Sequence, residues 1–263
     1  MSMKTVAIVT PSYYKPRFSE EDLISLEHLK KHLGKYDRYF LVPDGINSNK
    51  LKKGGFGFIK FPSEFFASTK TYNQLLLSED FYKAFKNYKY LLIYQLDALV
   101  FSDQLLKWCN RGYDYISAPW FKTVIGSLAH KKGFPASGGN GGFCLRNVQS
   151  SLKVLERVNM LAKRSSAKSW VRKMWFFLAV ITGKSHKKWL NAPATNYPFN
   201  EDGFWSLEAP KYLPGYRVAP FKTALKFGFE RFPRKCYELN KKKLPFGCHS
   251  WEKYDKDFWL PYL

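Results

Sequence analysis

Apolar positions in this chain follow two alternating patterns. Thr5-Val6-Ala7-Ile8-Val9 is a β-branched run stopped by Thr10-Pro11-Ser12, which predicts a buried first strand ending in a loop. From Glu20 to Leu33 the spacing becomes helical. Leu23, Leu26, Leu29 and Leu33 recur between charges, Ser19 is placed to cap the start, and Gly34 to stop the end. His28 and His32 stand four apart on this helix beside Lys30 and Lys31, and read as a solvated face rather than a metal pair. Tyr39–Val42 predicts a second strand ended by Pro43-Asp44-Gly45, and Gly54–Phe61 a turn into a short strand. Ser68 to Phe85 reads as one helix burying Tyr72, Leu75, Leu76 and Phe81. Tyr90 to Phe101 is a strand-like apolar run with one carboxylate, Asp97, near its end. Asp103–Trp108 predicts a short helix and Tyr113–Trp120 another strand. Strand, helix, strand, helix, strand implies an α/β, Rossmann-like, mainly parallel sheet flanked by helices, with right-handed crossovers. The expectation is a single domain over residues 1–263.

In such sheets ligands bind beyond the carboxyl ends of the strands. The loops at Pro11–Tyr14, Asp44 and Asp97 would share that edge. A carboxylate in the apolar setting of Asp97 is expensive unless paired. It reads as a metal or catalytic group at a strand end, or as a structural Asp capping the next turn. Gly138-Gly139-Asn140-Gly141-Gly142 has four glycines in five residues. That fits close backbone approach to a ligand, or simply a hairpin loop. It fails the GxGxxG pattern because Cys144 stands at the sixth position, and Gly54–Phe61 lacks the ending of a phosphate-binding P-loop. Glu201-Asp202 would cap a helix start or supply a general base.

Composition narrows the class. Hydrophobic content of 45% and aromatic content of 18% mark a globular chain. The formal net charge of +22 favours a polyanionic partner: nucleic acid, an anionic membrane surface or phosphorylated substrates. Cys109, Cys144, Cys236 and Cys248 form no CxxC pair, so neither a zinc site nor a disulfide framework is indicated, and a reducing compartment is expected. The N-terminal apolar run is too short for a signal peptide, and no run reaches the length of a spanning helix. From Arg157 to Asn200 there is no acidic residue. Within this stretch the basic pair Arg172 and Lys173 precedes Trp175, Phe176 and Phe177. Residues 157–190 therefore read as a basic aromatic helical insertion lying on an anionic membrane surface. The apolar block is longer than phosphate contacts need, which argues against nucleic acid; an ordinary core helix with a basic face is the third reading.

Five segments in succession carry a resemblance: Tyr94–Ala98, Tyr115–Trp120, Gly139–Phe143, Asn200–Trp205 and Phe246–Trp251. Together the chain resembles glycosyltransferases of the A-type (GT-A) fold, most of all a bacterial glycosyltransferase-like family known only as a domain of unknown function. The resemblance implies a nucleotide-sugar donor, with a UDP-sugar favoured, and a divalent metal, Mn²⁺ or Mg²⁺. Such enzymes hold the metal with an Asp-x-Asp motif; here Gln95 replaces the first acid and Asp97 remains, with His249 matching a C-terminal metal ligand. Asp202, with Glu201 second, matches the catalytic base of inverting relatives. Thr10, Pro11, Ser12, Tyr13 and Asp44 would line the nucleoside pocket. Tyr72, Asn73, Gln95 and Gly139, Asn140, Gly141 and Gly142 would contact the donor or acceptor. The implied acceptor is a glycan or a polyprenyl-diphosphate-linked saccharide in bacterial surface polysaccharide (lipopolysaccharide-type) synthesis, at the cytoplasmic face of the membrane. The competing readings are a non-catalytic basic module binding membrane or nucleic acid, and a nucleotidyltransferase.

Overall fold

The strand-forming runs assemble a six-stranded sheet in the order β3-β2-β1-β4-β7-β6. This is a computed structural model, and it describes residues 3–11, 18–46, 55–121, 138–166 and 192–263. Strand β1 (Lys4–Pro11) lies parallel to β2 (Asp37–Pro43) and β4 (Tyr88–Tyr94), and β2 lies parallel to β3 (Gly57–Phe61). Helix α1 (Glu20–Leu33) links β1 and β2. Ser19 Oγ accepts from Asp22 N while Asp22 Oδ2 accepts from Ser19 N, a reciprocal cap. Helices α2 (Thr69–Leu76) and α3 (Glu79–Ala84) link β3 and β4. They are two helices rather than one, because Ser78 Oγ accepts from Phe81 N and starts the second afresh.

The apolar run at 90–101 also divides. Strand β4 ends at Tyr94, and Gln95 N donates to Gly142 O. Ala98 N then closes a turn onto Gln95 O, and β5 (Ala98–Val100) leaves the main sheet. The chain continues through α4 (Leu105–Cys109), β6 (Tyr115–Pro119), β7 (Gly139–Asn147) and α5 (Val148–Ser166). The glycine-rich segment is thus a strand rather than a hairpin loop. It runs antiparallel to both β4 and β6, the one reversed member of the sheet.

A helical stretch, α6, follows, made of Glu201–Gly203, a π-helical Phe204–Glu208 and Ala209–Tyr212. Next come α7 (Phe221–Phe227), β8 (Gly228–Phe229), α8 (Pro233–Leu239), β9 (Gly247–His249) and α9 (Lys256–Trp259). Strand β9 pairs antiparallel with β5 and parallel with β8, forming a second, three-stranded sheet.

Alternation along β1 separates two core layers. Val6 and Ile8 pack with Leu29, Leu33, Leu92 and Trp108, whereas Ala7 and Val9 pack with Leu75, Phe81, Leu91 and, on α5, Leu155 and Val158. A third cluster, with Leu99, Phe229, Cys248, Trp251 and Trp259, surrounds the small sheet.

On α1 the buried stripe is Asp22, Ser25, His28, Leu29 and Leu33, while Leu23 is exposed. His28 is therefore not on a solvated face. Strand β5 lies against this helix, and His28 Nδ1 sits 3.1 Å from Val100 O while Ser25 Oγ donates to Ala98 O. All four cysteines are buried and free. Among the described residues no helix is long and apolar enough to cross a membrane. Ser12 and Tyr13, and the segment carrying Arg172, Lys173, Trp175, Phe176 and Phe177, lie outside the described residues.

Candidate active site at the carboxyl edge of the sheet

Because β2, β1 and β4 are parallel neighbours, Pro11, the turn at Asp44 and the turn at Gln95–Asp97 emerge on one edge. Strand β7 runs the other way, so its first residues, Gly139–Gly142, begin at that same edge. Strand β9 brings His249 opposite Ala98. Five separated stretches thus meet around the end of β4.

His249 is the hub. Its Nε2 lies 3.1 Å from Gln95 Oε1 and 3.3 Å from Asp97 Oδ1, and its Nδ1 lies 3.1 Å from Glu230 Oε1. Ser250 Oγ donates to Asp97 Oδ2 at 3.2 Å. Burial opposes a charge on the imidazole, but Asp97 and Glu230 outweigh it and raise His249 to about 10. Burial likewise opposes the charge on Asp97, and His249 and Ser250 outweigh it, holding the carboxyl below its ordinary value.

The donor set suits a hard or borderline divalent cation. One carboxylate, one amide oxygen and one imidazole nitrogen converge; the imidazole would release its Nε2 proton on binding a cation, and a carboxylate behind it fixes its orientation. Among the described residues no three His, Cys, Asp or Glu side chains form a ligand cluster, so Gln95 would have to supply the third protein ligand. Two further buried polar atoms at this edge, Thr10 Oγ1 and Asn140 Nδ2, have no hydrogen-bond partner among the described residues. Asn140 Oδ1 already accepts from Gly142 N and Phe143 N.

The two carboxylates of α6 have different environments. Glu201 is buried against Arg146, whose Nη2 lies 2.8 Å from its carboxylate. Arg146 is itself fully buried, donates to Tyr82 OH, and stacks over Tyr115 and Trp205. The charge of Glu201, second choice for the base, is thus paired with the guanidinium of Arg146. Asp202 is only partly buried and has no cationic partner at bonding distance among the described residues. Burial, reinforced by Glu201, raises it to about 7, within reach of acid–base work near neutrality.

The glycines of β7 explain how these groups come together. A side chain at Gly141 would meet Glu201, and one at Gly142 would meet His249. Consecutive residues of one strand thus give room to the two halves of the site. Tyr72 is corrected from a ligand contact to a core residue, with 3% exposure. Asn73 instead reaches out from α2, its Nδ2 donating to Asn200 Oδ1 at 3.0 Å. These two amides line a cleft of 640 Å³ with Thr69, Gln74, Asn196, Tyr197 and Phe199.

Sequence reasoning missed Glu230, Arg146 and Ser250 as members of the site. Glu230 follows a two-residue strand too short to show a period, and Arg146 ends the glycine-rich segment, whose reading as a ligand-approaching loop or a hairpin gave its side chain no part in the site. Ser250 directly follows His249, and its left-handed φ of 52° has no sequence signal.

Residues 55–249 match a family described as a protein of unknown function, DUF5672, and the chain belongs to that family. A search of the curated proteins finds no match. Solved structures with a likeness to it include glycosyltransferases. The apo form of GlyE from Streptococcus pneumoniae TIGR4 is 14% identical, with a TM-score of 0.46 over 98% of this chain and 60% of that one. This chain therefore spans 60% of the length of the GlyE chain. The galactosyltransferase LgtC, solved with donor and acceptor sugar analogs, is 12% identical, with a TM-score of 0.49 over 92% of this chain and 86% of that one. A glycosyltransferase involved in glycosylation of the major capsid of PBCV-1 is 10% identical, with a TM-score of 0.46 over 93% and 92%.

Proposed function

We propose that this protein is an inverting glycosyltransferase that moves a sugar from a nucleotide-sugar donor to a hydroxyl of a glycan or glycolipid. The observation that carries the reading is the meeting of Gln95, Asp97 and His249 at the carboxyl end of β4, beside a glycine strand that also backs Glu201-Asp202. Asp202 takes the proton from the acceptor hydroxyl as its oxygen attacks the anomeric carbon. The bond from that carbon to the diphosphate breaks, and the nucleoside diphosphate leaves from the opposite face. Arg146 holds Glu201, and through it the backbone position of Asp202. Asp97, Gln95 and His249 would hold a divalent cation, Mn²⁺ or Mg²⁺, which when bound neutralises charge on the departing diphosphate.

Thr10, Asp44 and Asn140 border the donor side of this edge. The cleft between α2 and residues 195–200 suits the acceptor, since its amides and hydroxyls, with Lys70 among them and Tyr197 and Phe199 beside them, match sugar hydroxyls and ring faces. The proposed setting is bacterial surface polysaccharide synthesis on a polyprenyl-diphosphate-linked acceptor, at the cytoplasmic face of the membrane. Thermal shift with UDP-, GDP- and CMP-nucleotides, each with and without Mn²⁺, tests the reading. Metal-dependent stabilisation by one nucleotide, lost in Asp97→Ala, is expected; no stabilisation by any of them would refute it.

A further inference from the structure

Outside this site the molecule has a second cleft of 640 Å³, walled by α4 and Arg111, by α7 and by the stretch from Leu239 to Phe246. Lys107, Arg111, Lys222, Lys226, Lys241 and Lys243 line it, and no acidic residue does. Lys222 and Lys226 are four apart on α7 and share a face, an arrangement that is repulsive without a counter-charge. Elsewhere on the surface Lys4, Lys35, Lys83, Lys211 and Lys256 each pair with a carboxylate. Among the described residues none of the six cleft cations does.

The cleft is also built. Asn240, 8% exposed, donates its Nδ2 to Lys243 O at 2.7 Å and pins the loop that carries Lys241 and Lys243. Lys241 and Lys242 both hold left-handed backbone, at φ 59° and 53°, a conformation unfavourable for lysine. Arg111 stacks over the Trp108 indole at 5.0 Å. That indole lines the cleft, is 3% exposed, and has an Nε1–H without a partner among the described residues. Leu225, Leu244 and Phe246 add an apolar lining, and Leu239 is exposed at its edge.

We propose that this cleft binds a diphosphate group carried on an organic body. Six unneutralised cations exceed what one carboxylate would balance, whereas a diphosphate offers several charges and acceptor oxygens to lysines and a planar guanidinium. The volume is that of a small-molecule or headgroup site. The same chemistry comes from a soluble diphosphate or from a lipid whose headgroup is a diphosphate, and the test separates them.

The full chain, without divalent metal, is titrated calorimetrically with inorganic diphosphate, and is floated with vesicles of phosphatidylcholine alone or with diacylglycerol diphosphate. Two variants are compared: the cleft triple Lys222→Ala, Lys226→Ala, Lys243→Ala, and a control triple Lys30→Ala, Lys31→Ala, Lys86→Ala, which removes equal charge elsewhere. Binding is expected to weaken about a hundredfold in the cleft triple, a factor of about five for each cation lost, and to change little in the control. Cleft-dependent binding of diphosphate alone identifies a soluble ligand; cleft-dependent flotation that diphosphate displaces identifies a headgroup. Failure of both probes to bind, or equal losses in the two triples, overturns the proposal.

Discussion

Asp202 and Glu201 are adjacent in sequence, and their surroundings assign them different work. Glu201 faces a buried guanidinium, while burial lifts Asp202 to about 7. In the proposed role of general base Asp202 must be deprotonated, so kcat/KM is expected to rise with pH and level off above about 7. In Asp202→Asn the rise should disappear and kcat fall by about 10²–10⁴-fold, with nucleotide binding retained. Stability responds in the opposite sense. A folded value above the unfolded one means that the native state binds the extra proton, so this contribution is present at low pH and lost as pH rises through about 7. Asp202→Asn should therefore raise the melting temperature more at pH 8 than at pH 5. Arg146 makes the complementary case. Arg146→Met leaves Glu201 buried and unpaired and should cost about 3–5 kcal/mol by denaturant unfolding, most of it recovered when Glu201→Leu is added.

At the scale of elements, local chemistry made some features readable and long-range packing hid others. The bounds of α1 follow from Ser19, the leucine spacing and Gly34, and the helix forms over those residues. Its buried face does not follow from them, because β5 turns Ser25 and His28 inward and leaves Leu23 exposed. The run at 90–101 is interrupted only by Gln95 and Asp97, too little to mark where one strand ends and another begins. Its division after Tyr94 depends on a hydrogen bond to Gly142, far along the chain. The pairing of Asp97 with His249 was legible only through motif order, and Glu230 not at all. Strand β7 supplies a test of the assembled edge. Gly142→Ala would push a methyl group into His249, and a shift of about 1 Å there should lower kcat/KM about 10²-fold while circular dichroism shows a folded chain.

For the whole molecule, the parallel sheet could be anticipated from alternating strands and helices, and the reversed β7 could not, since direction leaves no mark in a short apolar run. The small sheet of β5, β9 and β8 matters most for how the chain reaches its final state. It joins residues 98–100 to residues 247–249, a closure across most of the sequence. Contacts between such distant segments form late, because the intervening loop must first lose its freedom. The main sheet draws on nearer partners for β1 and β2, so order should spread from there toward the later strands. His249 is therefore expected to reach Asp97 late in folding, which pulse-labelled hydrogen exchange at residues 98–100 and 247–249 would check.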